Sequence, residues 1–121
     1  MVDDEALIRD VLAEALGECG FEVLTAASGE AALALLDADE RVDLLVSDLS
    51  MPGMDGVTLI RMAQIGRPGL PAILLTGFAG DTTALAVTGA MSGSFSLVRK
   101  PVTGAHLGER VSALLDAMAP A

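Results

Sequence analysis

Residues 43–56 read Asp-Leu-Leu-Val-Ser-Asp-Leu-Ser-Met-Pro-Gly-Met-Asp-Gly. From Val42 to Ser47 the run is almost uninterruptedly apolar, through Leu44, Leu45 and Val46. That is the pattern of a strand covered on both faces in a parallel sheet, not of an alternating, half-solvated one. Asp48 closes the strand. Between Leu49 and Gly56, the residues Pro52, Gly53 and Gly56 interrupt regular structure and mark a loop, after which a helix is expected from Val57 to Ile65.

The same alternation runs outward in both directions. Upstream, Leu7, Ile8, Val11, Leu12, Ala15 and Leu16 recur at three- and four-residue intervals, the apolar face of a helix closed by Gly17 and Gly20. A short strand from Phe21 to Ala26 and a helix from Glu30 to Asp37 follow. Downstream, Pro71 to Thr76 is a second continuous apolar run, hence another buried strand, stopped by Gly77. Asp81 to Met91 reads as a helix weakened by Thr82, Thr83, Val87, Thr88 and Gly89. Ser94 to Arg99 is a further strand broken by Lys100-Pro101, Thr103 can cap, and Ala105 to Met118 makes the last helix.

Strands alternating with helices imply a parallel sheet with right-handed crossovers and helices on both faces, the doubly wound α/β class. Only Met1 and Val2 precede Asp3, whereas an interior strand needs about five residues. The first strand is therefore expected to be truncated. Residues upstream of Met1 are expected to complete it; if the chain begins at Met1, the gap leaves apolar faces open and favours an unstable domain, or one that borrows a strand as a strand-exchanged homodimer.

Composition narrows the function classes. The 121 residues suit a single domain, 1–121. A net charge of −10, from 17 carboxylates against 7 Lys and Arg, disfavours nucleic acid as a partner and favours a divalent cation. No apolar run is long enough for a membrane span, and the acidic start Asp3-Asp4-Glu5 is unlike a secretory signal, so a cytoplasmic location is expected. Cys19 is the one cysteine, which excludes an internal disulfide and leaves packing as its expected role. His106, the one histidine, is read as a surface helix residue.

In open parallel sheets ligands bind beyond the carboxyl ends of the strands. That rule brings Asp3 and Asp4, Asp48, Thr76 and Lys100 to one edge, each at the end of a different strand save the first two. Three crowded carboxylates repel one another unless a cation neutralises them, and Mg²⁺, a hard ion that co-binds phosphate oxygens, suits the set. Lys100 adds a second positive point and Thr76 a hydroxyl, so a phosphoryl group on Asp48 would find its oxygens shared among metal, ammonium and hydroxyl. Asp48 is then the nucleophile.

On these stretches, with Val2-Asp3-Asp4-Glu5, Leu74-Leu75-Thr76-Gly77 and Arg99-Lys100-Pro101 beside residues 43–56, the chain resembles the receiver domain of response regulators over essentially its whole length. Its flavour is similar to receivers attached to hybrid histidine kinases. The resemblance implies a flavodoxin-like (βα)5 sheet in the order 2-1-3-4-5 and a phosphorelay role, with Asp48 taking phosphate from a histidine kinase or a histidine phosphotransfer protein. It implies Mg²⁺ bound by Asp4, Asp48 and the Ser50 carbonyl, with Asp3 contacting it through water, and a cis peptide before Pro101. Such a protein is a switch, not an enzyme, though one expected to catalyse its own phosphorylation and dephosphorylation.

One departure stands out. Where receivers usually carry an aromatic switch residue, three before the strand-ending lysine, this chain has Leu97. Phe78 and Phe95, near Thr76 and Leu97 in sequence, are the candidates to take over the reporting role. A receiver-like interaction or dimerisation module that needs no phosphate is the alternative. An aspartyl-phosphate hydrolase would want a second aspartate where Ser50 stands.

Overall fold

Three of the apolar runs pair into a parallel sheet. The computed structural model describes residues 1–38, 41–49, 51–76, 95–99 and 102–118, with the backbone alone at 95, 99, 117 and 118. In chain order the elements are α1 (Ala6–Glu18), α2 (Gly29–Ala38), β1 (Leu45–Asp48), α3 (Gly56–Gly66), β2 (Ala72–Thr76), β3 (Phe95–Arg99) and α4 (Gly104–Met118). The sheet runs β1-β2-β3, with Asp48 in register with Leu75 and Thr76 with Arg99. The expected helix at 81–91 lies outside the described residues.

Burial on both faces explains the unbroken apolar runs. Successive residues of a strand point to opposite sides. Ala72 and Leu74 of β2 accordingly face a cluster with Ala32, Leu36, Leu59, Ile60 and Ala63 of α2 and α3. Ile73 and Leu75 face Leu12, Leu16, Leu107 and Val111 of α1 and α4. Ile73, Leu74, Leu75, Leu59 and Ile60 expose no surface at all, and each such side chain contributes about 1.5–3 kcal/mol on burial. The fold is the expected doubly wound α/β arrangement, with two helices to a face among the described residues.

The first strand is reduced to one residue. Val2 forms isolated parallel bridges to Ala26 on one side and Ser47 on the other. Its N–H donates to the Val46 carbonyl at 2.8 Å and its carbonyl accepts from the Asp48 N–H at 2.9 Å. The order Ala26, Val2, β1, β2, β3 is thus the expected 2-1-3-4-5, with its first two members shrunk to bridges. This corrects the strand expected at 21–26, of which only Ala26 pairs, and the expected start at Val42, since β1 begins at Leu45. Residues 21–25 and 42–44 are not in a strand. An open cleft of about 810 Å³ lies there, lined by Met1, Phe21, Val23, Leu24, Leu35 and Leu44 among others.

Two helix expectations also change. Leu7 and Val11 do not join the buried face of α1, being 78% and 58% exposed, while Leu12 and Leu16 do. Cys19 is exposed at the end of α1 and not packed in the core, although its Sγ lies where a Cβ on Gly108 would meet it at 2.8 Å. The expected Thr103 cap is present, its hydroxyl accepting from the His106 N–H at 3.1 Å, and His106 itself is exposed.

Met1 provides a pH test. Its ammonium donates to the Leu24 carbonyl at 2.8 Å, and burial lowers its pKa from 8.0 to about 6. A cation with a depressed folded pKa leaves the folded state holding fewer protons than the unfolded state between those two values. Stability is therefore fully present above pH 8 and is lost as pH falls toward 6. We expect a drop of about 1–2 kcal/mol across that window in urea unfolding of the chain beginning at Met1, and a flat profile once its amine is acetylated. Equal slopes for the two forms would refute the assignment.

Candidate functional site

The bridging of Val2 carries the acidic pair to the end of β1. Immediately after the bridge, the Asp3 N–H donates to the Ala26 carbonyl at 3.2 Å, so the chain is held on both sides as it leaves the sheet. Asp3 is fully buried, with Oδ1 accepting from the Glu5 N–H at 2.9 Å, and Asp4 is exposed. Carboxylate oxygens of Asp3, Asp4 and Asp48 lie within 4.8 Å of one another. Thr76, also buried, ends β2 one residue past the register partner of Asp48.

Asp48 is set by its neighbours on every side. Its N–H donates to Val2, its carbonyl accepts from the Ser47 hydroxyl at 2.9 Å, and the following Leu49 N–H donates to Leu75 at 2.8 Å. The loop after it folds back over the strand end. Gly53 adopts φ +78°, the left-handed conformation that a Pro-Gly turn requires of its second residue. Asp55 then caps α3, its Oδ1 accepting from the Thr58 N–H at 2.8 Å, and the Gly56 N–H donates to the Leu49 carbonyl. Asp55 and Gly56 have structural roles here: a Cβ on Gly56 would collide with the Asp48 carbonyl and come within 2.7 Å of a Leu74 methyl.

Three carboxylates offering hard oxygen donors in so small a space fit a divalent cation, whose charge removes their mutual repulsion. The donor set lacks nitrogen and sulfur, which speaks for Mg²⁺ over zinc or copper. Ser50, Phe78, Lys100 and Pro101 lie outside the described residues, as does the side chain of Phe95. Leu97 is half-buried, opposite Leu74, and packs on the cluster shared with α2 and α3. Arg9, which sequence reasoning passed over, reaches the Asp3 carbonyl from α1. Its spacing of six from Asp3 gives no periodic signal.

A doubly wound α/β domain with an acidic cluster beyond the carboxyl ends of its strands belongs to the class that binds its ligand at the sheet edge. Comparison with known proteins narrows this. The model of the response regulator receiver domain matches residues 1–112, and the chain belongs to that family. It is 38% identical over 121 residues, all of this chain, to the transcriptional regulatory protein GlrR of Escherichia coli, of which it covers 27%. To the transcriptional regulatory protein AfsQ1 of Streptomyces coelicolor it is 41% identical over 116 residues, 95% of this chain and 49% of that protein. The chain thus spans from about a quarter to half the length of these relatives. A receiver domain crystal structure from Clostridium thermocellum superposes with a TM-score of 0.87 at 28% identity, covering 97% of this chain and 92% of that one. Receiver domains are phosphoacceptor switches that bind Mg²⁺ at an acidic pocket and work with a histidine kinase. Among the described residues no helix is long and apolar enough to cross a membrane.

The close approach at Gly56 predicts that Gly56→Ala lowers stability by about 1–3 kcal/mol, because the added methyl must push the Asp48 backbone or the loop aside. Gly66→Ala, where a Cβ meets nothing within 4 Å, is the control and should be near neutral. Urea midpoints of the two variants check this. Equal midpoints would show that the loop yields freely.

Proposed function

We propose that this chain is a Mg²⁺-dependent switch that accepts a phosphoryl group on Asp48. The observation that carries the reading is the gathering of Asp3, Asp4 and Asp48 within 4.8 Å at the edge where Thr76 also ends its strand. Asp4, Asp48 and the Ser50 carbonyl would hold Mg²⁺, with Asp3 assisting through water, and the ion would supply positive charge against the carboxylates and the phosphoryl oxygens. A carboxylate oxygen of Asp48 attacks phosphorus. The bond from phosphorus to the imidazole nitrogen of a phosphohistidine breaks, and the imidazole leaves with the electron pair. In the reverse sense of the switch, water attacks phosphorus and Asp48 leaves as a carboxylate.

Lys100 and the Thr76 hydroxyl complete the binding of the phosphoryl oxygens, and Phe78 or Phe95 relays the change in place of the aromatic residue whose position Leu97 occupies. The donor is a histidine kinase or a histidine phosphotransfer protein, and the setting is cytoplasmic. Output passes to a partner or to other domains. The relatives named above are transcriptional regulators, and DNA contact by such proteins would belong to parts this chain does not cover. Kinship with hybrid histidine kinases rests on sequence flavour alone.

A second reading, an interaction or dimerisation module independent of phosphate, draws on Leu97 in the switch position. Intact mass spectrometry after incubation with Mg²⁺ and acetyl phosphate separates the two. The switch predicts a single phosphoryl adduct that disappears in Asp48→Ala and when EDTA replaces Mg²⁺. No adduct on the wild-type chain, with partner binding or self-association unchanged by Asp48→Ala, would establish the module instead.

A further inference from the structure

Arg9 lies in the first turns of α1, half-buried, and its Nη1 donates to the backbone carbonyl of Asp3 at 2.8 Å. It reaches a carbonyl, not a carboxylate. That carbonyl belongs to the peptide plane joining Asp3 to Asp4, and a peptide plane is rigid. The amide side of Asp3 is tied to Ala26, and its side chain takes the Glu5 N–H. The guanidinium thus holds the carbonyl of the peptide plane from which the exposed Asp4 leaves the sheet edge. A charge-assisted hydrogen bond of this kind is short, directional and stronger than a neutral one.

We propose that Arg9 is a positioning residue for the cation site: by fixing the Asp3–Asp4 peptide it presents the Asp4 carboxylate toward Asp48 and Asp3. The proposal rests on the reading of the acidic cluster as a Mg²⁺ site. Charge and position act in opposite directions here, which makes the role measurable. Arg9 puts a positive charge beside a site for a cation, so on charge alone its removal would tighten Mg²⁺ binding. If it positions Asp4, removal loosens binding, since residues that orient metal ligands are commonly worth 10-fold or more in affinity.

The test is calorimetric titration of the full chain with Mg²⁺, without phosphodonor, for wild type, Arg9→Met and Arg9→Lys. Urea midpoints in EDTA are measured alongside and report any purely structural contribution. Arg9→Met is expected to bind Mg²⁺ about 10-fold more weakly. Arg9→Lys should fall between, because it keeps the charge but lacks the planar fork. Unchanged or tighter binding by a folded Arg9→Met overturns the proposal. If Arg9→Met does not fold, Arg9→Lys decides alone, and wild-type affinity in that variant overturns it. A wild-type chain that binds no Mg²⁺ removes the cation reading itself, an outcome distinct from wild-type binding that Arg9 leaves untouched.

Discussion

Val2 occupies the place of a whole strand. Its two backbone hydrogen bonds to Val46 and Asp48, and the bridge it forms to Ala26, are what join the 21–26 segment and the start of α1 to the sheet. Everything at the acidic edge depends on that single rung. Because Val2 is in register with Ser47, the residue after it necessarily emerges beside Asp48, and Asp3 and Asp4 arrive together at the end of β1. A shift of one residue would turn Asp3 to the opposite face of the sheet. The apolar packing of Val2 against Ala26, Leu45 and Met51 holds the register that the short ladder cannot hold alone.

The site so formed gathers three carboxylates within 4.8 Å, one of them fully buried, beside the dry double-faced packing of β2. Like charges so close repel one another. Functional sites commonly retain such conflicts, because repulsion among like charges is relieved when a cation binds. The loop from Leu49 to Gly56 belongs to this arrangement. Its glycine at 56 exists to let α3 begin against the Asp48 carbonyl, so the helix start and the acceptor residue share one constraint.

The relay away from the acceptor is less conventional than the acceptor itself. Leu97 packs into the core shared with α2 and α3, and a leucine has no aromatic ring to swing between an inner and an outer position. On the proposed function, a change at Asp48 would travel by backbone displacement or through other side chains. Transcriptional regulators such as GlrR and AfsQ1 contain far more chain than is matched here.

The alternating class of the fold, and the identity of the residues at its carboxyl edge, were determined by the sequence alone. Unbroken apolar runs such as 72–75 admit only a strand covered on both sides, and in a parallel sheet the ends of such strands share one edge. The charge pattern and residues 43–56 likewise pointed to the proposed acceptor and cation. Three things needed the tertiary structure. Strand length depends on partners distant in sequence, so the shrinkage of 21–26 to one bridge and the late start of β1 at Leu45 could not be read from local propensity. Which apolar residues of α1 are buried depends on where α4 and the sheet lie, and Leu7 and Val11 fell outside. The role of Arg9 arises because the helix folds its side chain back onto a carbonyl six residues earlier, a contact made by the backbone path and not by any pattern of side chains.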